Sequence, residues 1–190
     1  MDYDNNFSES NTRFIKREEV VNVPMSLYKS MQGRYFVGQT EALWVANGSN
    51  AWAGLFNPCN SNIDLFANVF TISNFSNQYL TAEVWLNPQF PEVGSRSVSK
   101  LVSPSNTALK PRPENKVDIR FIQSTEEIPK GGVNIYDRIV PPNVTLVGEE
   151  DGKFIIPSDG NYSIFIKSSS SELSKVIVAF GWWEEPKRYK

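Results

Sequence analysis

The sequence predicts an all-β chain: an antiparallel β-sandwich, jelly-roll-like, with a flexible N-terminal arm. Three observations predict it. From Arg34 onward, apolar residues recur with a period of two in run after run. Turn signals interrupt these runs every ~8–15 residues. No stretch of about ten residues or more carries a 3.6-residue apolar period. About nine to eleven short strands punctuated in this way fit a sandwich or a jelly roll, and the same pattern also fits a barrel. No internal repeat of fixed period is present.

Residues 1–19 are polar with little apolar pattern and read as an arm; residues 20–190 read as one β-sandwich domain. "EVVNVPMSLYKSM" begins the hydrophobic content. It fits a short strand to Pro24 and a turn, or a single helical turn around Met25 to Met31. "RYFVGQTEALWVA" offers strands at 35–39 and 42–46, and "NGSN" a turn at 47–50. "NIDLFANVFTISNF" carries apolar residues on both faces, as a strand between two covered layers does. "NFSNQ" is expected to close a hairpin. In "LTAEVWLNP", Leu80, Ala82, Val84 and Leu86 face in, while Thr81, Glu83 and Trp85 face out.

The segment 87–116 holds Pro88, Pro91, Pro104, Pro111 and Pro113, which exclude a central strand through most of it. Its Leu101, Val102 and Leu109 are too apolar for a free linker, so it reads as a long ordered connection with at most an edge strand. "VDIRFIQ" resumes alternation, with Val117, Ile119 and Phe121 inward. The remainder to Trp183 reads as four or five strands, with Asp151-Gly152 and Asp159-Gly160 as hairpin signals.

A net charge of −2, with acids and bases interspersed, argues against a nucleic-acid partner, which requires a concentrated basic surface. The polar, acidic N-terminus reads as neither a signal nor a transit peptide, so synthesis in the cytoplasm is expected. No run approaches the ~18 apolar residues of a membrane helix, so no membrane insertion is expected. The sequons at Asn6, Asn47, Asn74, Asn143 and Asn161 then read as by-products of an Asn- and Ser-rich composition.

The chain contains no histidine and one cysteine, Cys59. Ser-His-Asp and Cys-His catalysis, histidine metal sites, thiolate zinc sites and internal disulfides are thereby removed. Phosphate-binding glycine loops and EF-hand loops are absent too, and no cofactor is expected. Cys59 reads as an inert loop residue or as a thiol for an intermolecular bridge. Carboxylates are the one catalytic currency left. Glu149, Glu150 and Asp151 read as a solvated hairpin tip, or less economically as ligands of a Ca²⁺ ion. Asp137–Arg138 reads as a surface pair. Nothing sets two carboxylates at the ~5–10 Å a glycosidase needs.

All five tryptophans fall in strand-like runs. With Val176, Val178 and Phe180 inward, Trp182 fills the core and Trp183 faces out, as Trp85 does on its own strand. An outward tryptophan covers a second layer of the same domain, anchors a subunit interface, or stacks on a sugar. Trp85 and Trp183 are therefore the candidate interface or ligand-platform residues.

The stretches "YFVGQTEALWVANGSNAWAGLFNPCNSNIDLFANVFTISNFSNQYLTAEVWLN", "SPSNTALKP", "GVNIYDRIVPPNVTLVGEEDGKFIIP" and "VAFGWWEE" resemble an uncharacterised Firmicutes domain-of-unknown-function family of small all-β proteins. The resemblance spans about Tyr35 to Glu185. It implies a spore-forming source and brings no activity or site residues. Small β-sandwich proteins of such bacteria include spore-surface and appendage subunits assembled from the mother cell, an association of fold and context alone. The expectation is a non-enzymatic structural protein that assembles with itself into an oligomer or fibre. The alternatives are a carbohydrate-binding module with a tryptophan platform for a glycan, an enzyme working through carboxylates alone, and a phage-like virion component.

Overall fold

The structure, a computed structural model, describes residues 20–91 and 96–187. The expected N-terminal arm lies outside the described residues. The described chain is almost entirely strand: β1 (Tyr35–Gln39), β2 (Leu43–Val45), β3 (Asn50–Phe56), β4 (Ile63–Asn74), β5 (Leu80–Leu86), β6 (Arg96–Val98), β7 (Val102–Pro104), β8 (Asp118–Thr125), β9 (Val133–Val140), β10 (Thr145–Ile156), β11 (Asn161–Ser168) and β12 (Ser174–Pro186). One short helix, α1 (Met25–Met31), precedes them. It takes the helical of the two alternatives open at that segment.

The strands form two six-stranded antiparallel sheets packed as a sandwich. One runs β10-β4-β12-β1-β7, with β2 also paired to β12; the other runs β6-β8-β3-β11-β5-β9. They are called here the β1 sheet and the β3 sheet. The inner faces close over one apolar core that includes Leu43, Leu65, Phe70, Ile119, Ile164 and Trp182. Trp182 is fully buried, as its alternation with Val176, Val178 and Phe180 requires, and its ring centroid lies 5.9 Å from that of Phe36.

Three expectations are corrected by the strand pairing. Asp159-Gly160 closes no hairpin but carries the chain from β10 in one sheet to β11 in the other. "NFSNQ" does not close a hairpin: β4 and β5 lie in different sheets, so the loop arches across the sandwich. Asn74 builds that arch, its side-chain amide donating to the Gln78 and Pro141 carbonyls while its Oδ1 accepts from Ser76 N. Asp151-Gly152 is likewise no hairpin tip. Both residues have positive φ, and they lie inside β10 in an irregularity that interrupts its pairing with β4 between Glu149 and Phe154. The carboxylate before them is carried inward, and Glu150 is 3% exposed.

The proline-rich connection holds two three-residue strands rather than one. β6 extends the β3 sheet beside β8, and β7 extends the β1 sheet beside β1. Glu184 anchors the end of this connection, its carboxylate accepting from the backbone N–H groups of Lys116 and Val117 and from the Trp182 indole.

Candidate functional site

The outer faces of the two sheets differ in chemistry, and the difference follows from the strand patterns. In a sandwich exposed to water, outward positions are ordinarily polar or charged. The β3 sheet follows this rule where it meets solvent, and its outward Trp52, Ile122 and Phe165 are buried beneath Trp85 and Phe90. Arg120, Glu83, Lys167 and Asp137 stand on its outward positions, with Lys167 paired to Glu83 and Arg120 to Asp118.

The centre of the β1 sheet breaks it. Register places Val37, Gly181, Val69 and Glu149 side by side in one outward row, and Gln39, Ala179, Thr71 and Val147 in the next. Between Lys175 at one end of β12 and Glu185 at the other, its outward positions are Ile177, Ala179, Gly181 and Trp183. Val147 and Ile155 on β10 are 54% and 55% exposed. Apart from Glu149 on the edge strand β10, these rows carry uncharged side chains, aliphatic at Val37, Val69, Val147 and Ala179 and neutral polar at Gln39 and Thr71.

A bulge in β4 makes this face. Gly181 pairs with Val69 and Trp182 with Ala67, so Asn68 is the extra residue. The inward set switches there from Leu65 and Ala67 to Phe70 and Ile72, and Val69 and Thr71 are turned outward. Asn68 donates to the Tyr35 hydroxyl at 2.7 Å. Burial pushes the Tyr35 phenol upward in pKa, and the Asn68 bond opposes that. Gly181 is needed beneath this pair, because a Cβ there would stand 2.5 Å from the Tyr35 oxygen and 2.8 Å from Val69 Cγ1.

The small residues of β12 leave a shallow trough of about 540 Å³, floored by Ala179 and Gly181 and walled by Val69 and Thr71 on one side and Leu101 and Val102 on the other. A second hollow of about 370 Å³ lies at the end of the same face, bounded by Met25, Asp64, Phe66, Trp183 and Glu185. Lys29 and Arg34 both pair with Glu185 there, at 2.5 and 2.7 Å, tying α1 to β12.

Trp183 faces out of the β1 sheet, as alternation requires, and is 4% exposed. Its cover is this same chain: Phe66 stacks on the indole at 5.3 Å and 12°, and Gly152 lies against its ring edge. Trp85 faces out of the β3 sheet and is half-buried, with its indole N–H donating to Glu83 Oε2 at 3.0 Å. It borders a buried group of Trp52, Ile122 and Phe165, over which Phe90 closes. The structure therefore sets the two candidate tryptophans on opposite faces and does not bring them together.

The carboxylates are scattered as well. Glu149 is exposed on the outer face of β10, whereas Glu150 turns into the sandwich, accepting from the Tyr162 hydroxyl at 3.3 Å and pairing with Lys153 at 2.6 Å. Burial, and then the Glu150 charge, push the Tyr162 phenol far upward, so it stays protonated and donating. The bond from Lys153 to Glu150 raises the lysine in turn. Asp137 accepts from Asn134 on the exposed edge of β9. Among the described residues, no group of three or more His, Cys, Asp or Glu is arranged to hold a metal ion. No described helix is long and apolar enough to cross a membrane. Cys59 is a free thiol, exposed in the loop between β3 and β4, away from both outer faces' centres.

The uncharged face was not singled out by the sequence reading. The signal for it is the lack of charge at alternate positions of 35–39 and 177–183. The Asn68 bulge hides its continuation on β4.

Comparison with curated proteins and with solved structures returns no match to this chain. A family model does match, over residues 7–189, under the description "Family of unknown function (DUF6143)". That match spans nearly the whole sequence, and the chain belongs to the DUF6143 family of unknown function.

Proposed function

We propose that this chain is a structural, non-enzymatic subunit that associates with itself through the outer face of its β1 sheet. One observation carries the reading: a largely uncharged surface of aliphatic and neutral polar side chains, running from Val147 and Ile155 across Val69 and Ala179 to Val37 with Glu149 at its edge, that no other part of the described chain covers, whereas the apolar outward residues of the other sheet, Trp52, Ile122 and Phe165, are buried by Trp85 and Phe90. Contiguous exposed apolar surface on a folded protein marks a contact with another macromolecule. Flat faces of this kind are suited to sheet-on-sheet packing, where side chains of two faces interdigitate over ~10 Å. A spore-surface layer or appendage is the setting that the sequence resemblance suggests for such a subunit.

We further infer that the wiring is that of a jelly roll. Eight strands pair in the order β1-β12-β4-β10 in one sheet and β3-β11-β5-β9 in the other, with β6, β7 and β8 inserted between β5 and β9. Those eight alternate between sheets in the way two interlocked Greek keys do.

The experiment is to place a charge at the centre of the face with Ala179→Glu and, as a control, on the outer face of the β3 sheet with Ile139→Glu, at an exposed position in the outward row of Thr81 and Lys167. Light scattering across protein concentration reads the mass. The expected result is association of the unmodified chain and of the control, lost in Ala179→Glu with thermal stability retained. Equal association of all three, or of none, contradicts the proposal.

A further inference from the structure

The outer face of the β3 sheet carries a row of its own, on the side of the sandwich away from the β1 sheet. β5 runs between β11 and β9 there, and its outward positions follow one another as Thr81, Glu83 and Trp85. Tyr79 stands one outward position before Thr81, where the chain enters β5. From Tyr79 to Trp85 the strand runs about 20 Å, an aromatic side chain at each end.

The surface between the two rings is polar and hollowed. Register sets Ile139, Thr81 and Lys167 side by side, and Tyr79, Ile139, Lys167 and Ser169 bound a hollow of about 450 Å³ over Thr81. Lys167 pairs with Glu83, which also accepts the Trp85 indole N–H at 3.0 Å. That bond, with the buried group of Trp52 and Phe165 beside it, holds the Trp85 ring in place. Tyr79 is 65% exposed. Its hydroxyl and those of Thr81 and Ser169 have no hydrogen-bond partner among the described residues.

Each part of this row suits a sugar. A pyranose ring presents a face of C–H groups and an edge of hydroxyls. An exposed tyrosine offers that face a broad apolar area with few side-chain angles to order. Lys167 beside Glu83 sets a donor next to an acceptor, which matches neighbouring hydroxyls that each donate and accept. The unpartnered hydroxyls extend that set along the strand. Lys167 and Glu83 neutralise one another, so the hollow holds no net positive charge to attract a polyanion. A protein partner would have to strip water from the ion pair and the hydroxyls, which is costly. A sugar replaces that water with hydroxyls of its own.

We infer that this row is a binding groove for a neutral oligosaccharide laid along β5. Tyr79 stacks on one sugar, Lys167 and Glu83 bind hydroxyls beside it, and Trp85 is the platform at the far end. The groove lies on the face opposite the one assigned to self-association, and neither reading rests on the other. An assembly closed over the β1 sheet leaves the groove open to solvent.

Affinity electrophoresis tests it, in native gels that each contain one polymer: a β-glucan, a galactomannan, an α-glucan, or heparin as the polyanion. At least one neutral polymer is expected to retard the unmodified chain, and heparin is not. Tyr79→Ala is expected to raise the apparent Kd about tenfold or more, and Lys167→Met likewise. Tyr79→Phe keeps the ring and is expected to lose much less. Phe75→Ala removes another exposed aromatic, outside the groove, and is expected to leave retardation unchanged. The side chains of Tyr79, Lys167 and Phe75 are all exposed, so the fold survives these changes. Retardation by none of the neutral polymers, by heparin alone, or by a neutral polymer to the same extent with and without the Tyr79 ring, overturns the proposal.

Discussion

The indole of Trp183 rests on Gly152. A Cβ built at residue 152 would stand 1.9 Å from Trp183 Cη2 and 2.3 Å from Cζ2, and the backbone there has φ +73°. The two residues are thirty-one positions apart, on β10 and β12, which are not themselves neighbours in the sheet. The irregularity in β10 reaches past β4 to close over the outward tryptophan. The second indole of the "GWW" run is thus held by its own chain, and the exposed part of this sheet face lies beside it, at Val37, Val147 and Ile155.

Gly152→Ala is expected to destabilise the fold by about 3 kcal/mol or more, combining a left-handed backbone with an overlap that Trp183 cannot leave without losing Phe66. Gly48 supplies the control, since it has φ +76° and open space around its Cβ position, and Gly48→Ala is expected to cost about 1 kcal/mol. Urea midpoints read the difference. Equal costs at the two positions would show that the contact with Trp183 is not a constraint.

Glu150→Ala is expected to cost about 2 kcal/mol or more, because it leaves the buried Tyr162 hydroxyl without its acceptor. Glu149→Ala, one residue away on the exposed face, is expected to stay within about 0.5 kcal/mol. Chemical denaturation of both variants checks the contrast. Similar small effects would return Glu150 to the solvated position that its local sequence suggests.

Glu184 supplies a pH signature. Burial raises its pKa above the ordinary 4.5, against the lowering effect of the Val117 and Lys116 amides and the Trp182 indole. A carboxyl that holds its proton more tightly when folded stabilises fully below its unfolded pKa, and that contribution is lost as pH rises through the folded value. Relative to Glu184→Gln, the native chain should therefore lose stability as pH rises from about 4.5 toward neutrality. Paired urea titrations at stepped pH measure this. A difference that is flat, or that grows in favour of the native chain with rising pH, would reverse the sign.

Where these features were legible in the sequence depends on how local their cause is. Alternation alone located β1, β2, β5 and β8 and set Trp182 inward, because each of those strands keeps one parity across its core-facing stretch. It failed where the backbone breaks parity. The Asn68 bulge turns Val69 and Thr71 outward, and no residue type around "LFANVF" signals it; the bulge is stabilised by Tyr35, thirty-three positions away. Asp-Gly at 151–152 has the residues of a tight turn and the φ values of one, yet β10 resumes pairing beyond it, because Phe154 and Ile156 still have β4 to join. The candidate tryptophans were placed on the correct faces, but their cover comes from Phe66, Gly152 and Phe90, whose proximity is a property of the sheet order rather than of the neighbouring sequence. The uncharged face is likewise a sum over five strands, and no single strand displays it.

The most direct test of the central claim, that the outer face of the β1 sheet is covered by another copy of the chain, is sedimentation equilibrium of the unmodified protein. The account predicts a mass that rises with concentration from that of one chain toward that of two, more readily in salt that strengthens apolar burial than in urea below the unfolding transition. A mass of one chain at every concentration and in both conditions would contradict it.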